Sequence, residues 1–315
     1  MFPGVVVFLF LVAIVGAAEP ALYAGKLGIV KAVGLSPEER IVEGRFATYL
    51  ETHTEEAVAR YLEKFRNEIN TDHVRELSLD YAPGGINAED PATIVARMRW
   101  GQAVHEPASA LAKELFRRAL RKATPIDPRK QVVFTAGGAG AGKTTSIRKL
   151  GEISHAIDLA EIVYDTTLST YSSAVRNIGQ ALGAGRMASI IYVYRDPVDA
   201  LLEGVLPRAK SMGRTVPLQV ILDTHLGSLE AILKIAAAYK NEPRLVIAII
   251  DNRDGAGGAT QADLEFLRKM TRKYSRESLQ AALVSALEDV YEKGKNGHKN
   301  GISEALYRSI KRDAP

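Results

Sequence analysis

The stretch that most constrains this chain is Gln131–Thr145, QVVFTAGGAGAGKTT. A short apolar run, Val132-Val133-Phe134, leads into a glycine-rich turn, and Lys143-Thr144-Thr145 then opens a helical stretch. The spacing G-x-x-x-x-G-K-T is met in full by Gly137, Gly142, Lys143 and Thr144, the pattern of a phosphate-binding P-loop between a buried strand and a helix. Gly137, Gly138, Ala139, Gly140, Ala141 and Gly142 are small enough for backbone N–H groups to turn inward around a phosphate. The helix that follows points its positive end at the same anion. Lys143 is expected at the β- and γ-phosphates, Thr144 on Mg²⁺ through its hydroxyl, and Thr145 completes the nucleotide-binding set. A strand-to-helix turn with no ligand is the alternative, and the complete match in its strand–loop–helix setting argues against it.

The surrounding pattern gives the fold class. EIVYD ending at Asp165, SIIYVYRDP over Ser189–Pro197 and LVIAIID over Leu245–Asp251 are continuous apolar runs separated by helical segments. That alternation predicts an α/β fold: a P-loop NTPase-type parallel sheet with helices on both faces. Ligands of such sheets sit at the carboxyl ends of the strands, where the P-loop, Asp165–Thr167, Arg195 and Asn252 all fall.

Helical parts are expected on either side. Ser36-Pro37-Glu38-Glu39 reads as a capped helix start, and Ala57, Val58, Tyr61, Leu62, Phe65 and Ile69 share one face of a second helix. In the next segment, INTDHVRELSLDYAPGG, Asp72 and Arg75 lie on one side of a short helix. A helix from Asp90-Pro91 turns Ile94, Val95 and Met98 inward, and a longer one from His105 carries Leu111, Leu115, Phe116, Ala119 and Leu120 on one face. His105 reads as a helix cap or an exposed residue. Asp196 reads as an N-cap, and Asp223 and His225 as structural residues. Pro125 and Pro128 separate the long helix from the P-loop strand, and Gln261–Lys311 is mostly helical.

The whole chain has 315 residues, 46% hydrophobic, with a net charge of +4 and no cysteine. Cysteine nucleophiles, disulfides and thiolate metal sites are therefore excluded, and so mild and dispersed a charge gives no argument for nucleic acid as a partner. Phe2–Ala18 is uncharged and apolar, as in a signal peptide or a short membrane anchor. This suggests an exported or membrane-associated protein that touches a membrane only through residues 1–18. A cytoplasmic location is the alternative, because ATP is plentiful there. The expected organisation is 1–18 signal or anchor, 19–35 linker, 36–130 helical acceptor-side part, 131–260 P-loop core and 261–315 helical extension.

A P-loop alone states phosphate binding, and the class of reaction must come from elsewhere. The guanine-reading N-K-x-D pattern is absent, since Asn252-Arg253-Asp254-Gly255 does not match it. Pro207–Thr215 reads as a basic turn with Arg208, Lys210 and Arg214 around Met212-Gly213, suited to spreading the charge of a transferring phosphoryl group. Asp165, at the end of an apolar run, is placed as a carboxylate near magnesium.

The segments AGGAGAGKTT, YDTTLST, YVYRDPVDALLEGVLPRAKSMGRTVP and VIAIIDN resemble the zeta toxins, P-loop kinases that phosphorylate UDP-N-acetylglucosamine or related acceptors. The resemblance covers about Gln131–Asn252. It implies ATP and Mg²⁺ as cofactors and a small-molecule acceptor such as a nucleotide sugar, and it leaves open an antitoxin partner. It also implies that Asp165 and Thr167 help hold substrate and that Arg208 and Arg214 face the phosphates. The family has Glu where this chain has Asp165. The family's acceptor-side segment, with its general base, normally follows the P-loop helix, and the interval from Lys143 to Asp165 leaves no room for it. INTDHVRELSLDYA, upstream, looks like that segment, with Asp72 as base and Arg75 as substrate contact. The resemblance thus implies a permuted order; an ordinary surface ion pair is the alternative reading of Asp72 and Arg75. An ATP-binding interaction module, or an ATPase without an acceptor, is the alternative function.

Overall fold

A computed structural model describes residues 21–122 and 130–312. The signal or anchor expected at 1–18, and Pro125 and Pro128, lie outside the described residues. Among the described residues, no helix is long and apolar enough to cross a membrane.

The sheet has the order β1-β3-β2-β4-β5-β6, with β1 Glu68–Asn70, β2 Gln131–Ala136, β3 Ile162–Asp165, β4 Met187–Tyr194, β5 Leu245–Asp251 and β6 Thr260–Ala262. All pairs are parallel except β5 with β6. Helices cover both faces. Val132 and Phe134 pack towards α1 (Pro37–Thr52), α5 (His105–Arg121), α8 (Tyr171–Gly183) and α11 (Leu218–Ala238), whereas Val133, Val163, Ile191 and Val193 pack towards α6 (Lys143–Lys149) and α7 (Gly151–Asp158). The parallel α/β sheet expected from the apolar runs is present, with one antiparallel strand added at its edge. Gln261 and Ala262 lie in that strand, where helix was expected to begin.

The upstream part enters the same sheet. Helix α2 (Thr54–Phe65) stops because Arg66 adopts a positive φ of 54°. Ile69 is therefore not on the helical stripe but in β1, paired with Tyr164 of β3. The Tyr61 hydroxyl fixes the transition by donating to the Glu68 carbonyl at 3.1 Å and accepting from the Asn70 N–H at 2.9 Å. At the other end of the strand Asn67 donates from Nδ2 to the Ala160 carbonyl. Arg186, buried, pairs with Glu161 and donates to the carbonyls of Leu120 and Lys122, which pins the end of α5 beneath the sheet.

Three further expectations change. Residues 21–31 are not a free linker: Leu22 bridges Val30, Ile29 is buried, and the carboxylates of Glu43 and Glu51 accept the N–H groups of Ala32, Lys26 and Leu27. Helix α4 (Pro91–Trp100) turns Thr93 and Arg97 inward and leaves Val95 exposed, because polar partners rather than apolar volume wait on its inner side. The basic turn at Pro207–Thr215 is largely helical, as α10 (Leu206–Met212). It continues from α9 (Pro197–Asp199) through a π-helical segment, Ala200–Val205.

The C-terminal helices α13 (Arg276–Lys295) and α14 (Glu304–Lys311) pack with α10 and α11 in one apolar cluster. Arg312 reaches Glu39 in α1 and the Gly34 carbonyl, joining the two ends of the described chain.

Candidate phosphate and acceptor site

The P-loop is held from beneath. The Asn252 side chain, buried at the end of β5, donates to the Ala141 carbonyl at 2.8 Å. From α11, Thr224 accepts the Ala139 N–H at 3.1 Å, and His225 donates from Nε2 to the Ala139 carbonyl at 2.9 Å. His225 is buried, which holds its imidazole down at about 4 and so uncharged at neutral pH. The loop carbonyls are thus taken by the scaffold. Gly140, at φ 74°, lies against the π-helical segment so closely that a Cβ on Gly140 would overlap the Ala200 carbonyl, and one on Gly204 would overlap the Gly140 carbonyl. Only glycine at both positions permits that approach.

Three strand ends meet beside the loop. Asn70, Asp165 and Thr135 are in register across β1, β3 and β2. The Asp165 carboxylate accepts from Asn70 Nδ2 at 2.8 Å and from the Thr135 hydroxyl, and lies 3.6 Å from Lys143 Nζ. Asn70 also N-caps α3 (Thr71–Arg75), its side-chain oxygen accepting the Asp72 N–H at 2.8 Å. One asparagine side chain therefore joins the start of the Asp72 helix to the acid that touches the P-loop lysine.

Asp72 stands among cations. Arg75 lies 3.2 Å away on the same helix and Arg208 of α10 lies 3.7 Å away. The Asp72 side chain is 37% exposed and that of Arg208 is 50% exposed, so this pair faces open space. Desolvation works against ionisation of Asp72, but the guanidiniums of Arg75, Arg208 and Arg214 outweigh it and hold the carboxyl well below the usual carboxylate range. His105 is exposed and makes no cap bond. Its Nδ1 accepts from Arg75, and the surrounding protein together with the Arg75 charge disfavours protonation of the ring.

Behind Asp72 is a buried ion triad. Glu76 pairs with Arg97 at 2.6 Å and with Arg214 at 2.8 Å. Asn70, Glu76 and Arg97 were not among the residues expected from the sequence. Asn70 carries a local signal, an Asn two residues before an Asp at a helix start. Glu76 and Arg97 carry none, because charged residues are ordinarily assigned to the surface.

Other expected residues sit less directly. Thr144 and Thr145 are exposed at the start of α6, with the Thr145 hydroxyl donating to the Gly142 carbonyl. Thr167 accepts the Gly137 N–H on its carbonyl, and its hydroxyl donates to Ser169, so it braces the loop's first glycine. Arg195 is buried and paired with Glu203, while Lys210 points outward. Asp196 caps α9 through the Val198 N–H, and Asp223 pairs with Arg276 away from the loop. Among the described residues no group of three or more His, Asp or Glu could hold a metal on its own. The Thr144 hydroxyl and the Asp165 carboxylate are a sparse donor set, one that fits an ion keeping most of its water and phosphate ligands, as Mg²⁺ does.

Residues 152–258 match the zeta toxin family model. The match runs from α7 to the turn before β6 and takes in Asp165, Arg208 and Arg214; the P-loop and the Asp72 segment precede it. A solved structure described as the crystal structure of AvrRxo1-ORF1:AvrRxo1-ORF2 with sulphate ions aligns at a TM-score of 0.38. It shares 12% identity, over 71% of this chain and 89% of that one. No curated protein matches the chain.

Proposed function

Since residues 152–258 are zeta-toxin-like, and members of that family are kinases, we propose that this protein transfers the γ-phosphate of ATP to a hydroxyl of a small acceptor, with a UDP-amino sugar as the first candidate. The observation that carries the reading is the Asn70 side chain, bonded at once to the Asp72 helix and to Asp165 beside Lys143. It supports an acceptor-side segment that precedes the P-loop in the chain yet works against it in space.

In this reading the loop amides and Lys143 hold the phosphates. Thr144 and Asp165 would hold Mg²⁺, which would supply neutralisation of the phosphate charge. Arg75 and Thr167 help hold the acceptor. Asp72 accepts the acceptor's hydroxyl proton in a hydrogen bond, while Arg208 and Arg214 face the transferring group. The charge arrangement gives a sequence to these roles. While Arg208 and Arg214 face Asp72, its carboxylate is a weak base. Phosphate oxygens beside these arginines would screen their charge at Asp72 and raise its basicity, so that the base strengthens when the donor is in place.

The test is transfer of label from γ-labelled ATP to UDP-N-acetylglucosamine and to extracts of small metabolites. Label should move to an acceptor, and Lys143→Ala should reduce transfer on the order of 10³-fold. ATP consumption at one rate with and without acceptors would instead favour a plain ATPase, and nucleotide binding without turnover an interaction module. Lys143→Ala with full transfer contradicts the proposal outright.

A further inference from the structure

Glu76 is four residues after Asp72 and sits at the C-terminal cap of α3, so Asp72 and Glu76 lie on the same side of one short helix. The two carboxylates differ in setting. Asp72 is open to the site, whereas the Glu76 side chain has 0% exposure and is enclosed by two guanidiniums. Its Oε1 accepts from Arg214 and its Oε2 from Arg97, with the Asn87 N–H at 3.4 Å.

Arg214 reaches this carboxylate through a forced turn. Gly213 follows α10 at φ 70°, and a Cβ there would overlap the Ile94 carbonyl of α4. Arg97, also from α4, donates to the Met212 carbonyl at the end of α10. Helix α4 thus grips the Met212-Gly213 turn by main chain and by side chain, and Glu76 receives the arginine that the turn sends back. One Nη of Arg214 is committed to Glu76, while its buried Nε has no partner among the described residues. A planar guanidinium fixed at one nitrogen presents its remaining donors in a set direction. Asp72 lies in the field of that group.

Resting on the kinase reading above, we propose that Glu76 is a positioning residue. It acts through Arg214, fixing the guanidinium that faces the transferring phosphoryl group, and Arg97 is the second cation packed against the buried Glu76 carboxylate. The acceptor-side helix α3 thereby carries both the group that addresses the acceptor hydroxyl and the group that sets the phosphate-facing arginine. Acceptor and donor geometry are linked through a single turn of helix.

The experiment is a double-mutant cycle on the full chain, read as γ-phosphate transfer from ATP to UDP-N-acetylglucosamine or to water. Glu76→Gln should lower kcat about 10²-fold with the KM for ATP little changed, because the nucleotide cradle is untouched. In an Arg214→Ala background the same change should have almost no further effect, since residues that act through one group are not additive. Glu76→Gln leaves two buried guanidiniums facing each other, so Glu76→Gln/Arg97→Met is measured beside it, with thermal melting as the check on folding. The double variant should regain stability and stay slow. Recovery of kcat in the double variant, or additive losses in the Arg214→Ala background, would overturn the positioning role and leave Glu76 a structural residue. A wild-type protein that turns over no ATP defeats the kinase reading and this inference with it. Wild-type turnover with unimpaired Glu76→Gln defeats the inference alone.

Discussion

The floor of the P-loop and the cluster around Asp72, linked through Asn70 and Asp165, are built from opposite materials. The floor is made of main chain and neutral groups: the Ala139 and Ala141 carbonyls are bound by His225 and Asn252, and Gly140 and Gly204 meet backbone to backbone. The Asp72 cluster is made of charge. Arg75, Arg97, Arg208 and Arg214 set against Asp72 and Glu76 leave two positive charges in excess. A site of the first kind has one shape and keeps it, which suits a ligand whose phosphates are always alike. A site of the second kind holds fixed cations around a carboxylate, which suits a step in which negative charge develops.

The largest expected effect lies in the charged half. Asp72→Asn should cost on the order of 10²- to 10⁴-fold in phosphotransfer while ATP affinity, measured by calorimetry, is retained. Equal losses in transfer and affinity would mean that the two halves are not separable. Next is the neutral half. Gly204→Ala pushes a Cβ into the Gly140 carbonyl, and overpacking against main chain of this kind typically costs about 1–3 kcal/mol. ATP binding should weaken by roughly tenfold. If affinity holds and only transfer falls, the contact serves the arginine helix rather than the loop.

The smallest effect is one of pH. His225, buried under the loop, has its folded pKa lowered to about 4, against about 6.5 in the unfolded chain. Between those values the unfolded chain binds the extra proton, so the stability this residue contributes is complete above pH 6.5 and is lost as pH falls towards 4. The melting temperature should therefore drop from pH 7 to pH 5, and His225→Gln should make the drop shallower by about one proton's worth of slope. His73 and His105 are shifted in the same direction, so the slope should not vanish. An unchanged slope in His225→Gln would show that the loop floor tolerates a charged imidazole.

The two halves were also unequally legible. The loop and the strands β2 to β5 announce themselves because each is written in consecutive residues: an apolar run, a glycine spacing, an acid at a strand end. β1 does not, because Glu68–Asn70 offers one apolar residue, and its pairing is with residues 95 positions away. The Asp72–Arg75 pair was readable from its spacing and its likeness to a family segment. The Glu76–Arg214 contact spans 138 positions and joins residue types that composition assigns to solvent. For the same reason Val95 was expected to face inward, where Arg97 does. Apolar volume is a sound guide to the core until a buried carboxylate requires a cation. Helix α10 was read as a turn because Gly213 and the clustered cations resemble loop sequence, and the π-helical entry into it leaves no spacing rule to recognise.

The edge position of β1 has a consequence for how the protein is made. Residues 68–70 leave the ribosome long before residues 162–165, the strand they must pair with. Until that partner is synthesised, the segment bearing Asp72 has no sheet to join, whereas β2 and β3 are separated only by α6 and α7. Contacts distant in sequence form late because the chain between them must first be closed. During synthesis, then, β1 and the Asp72 helix wait for β3, and the floor of the phosphate loop waits longer still, for His225 and Asn252.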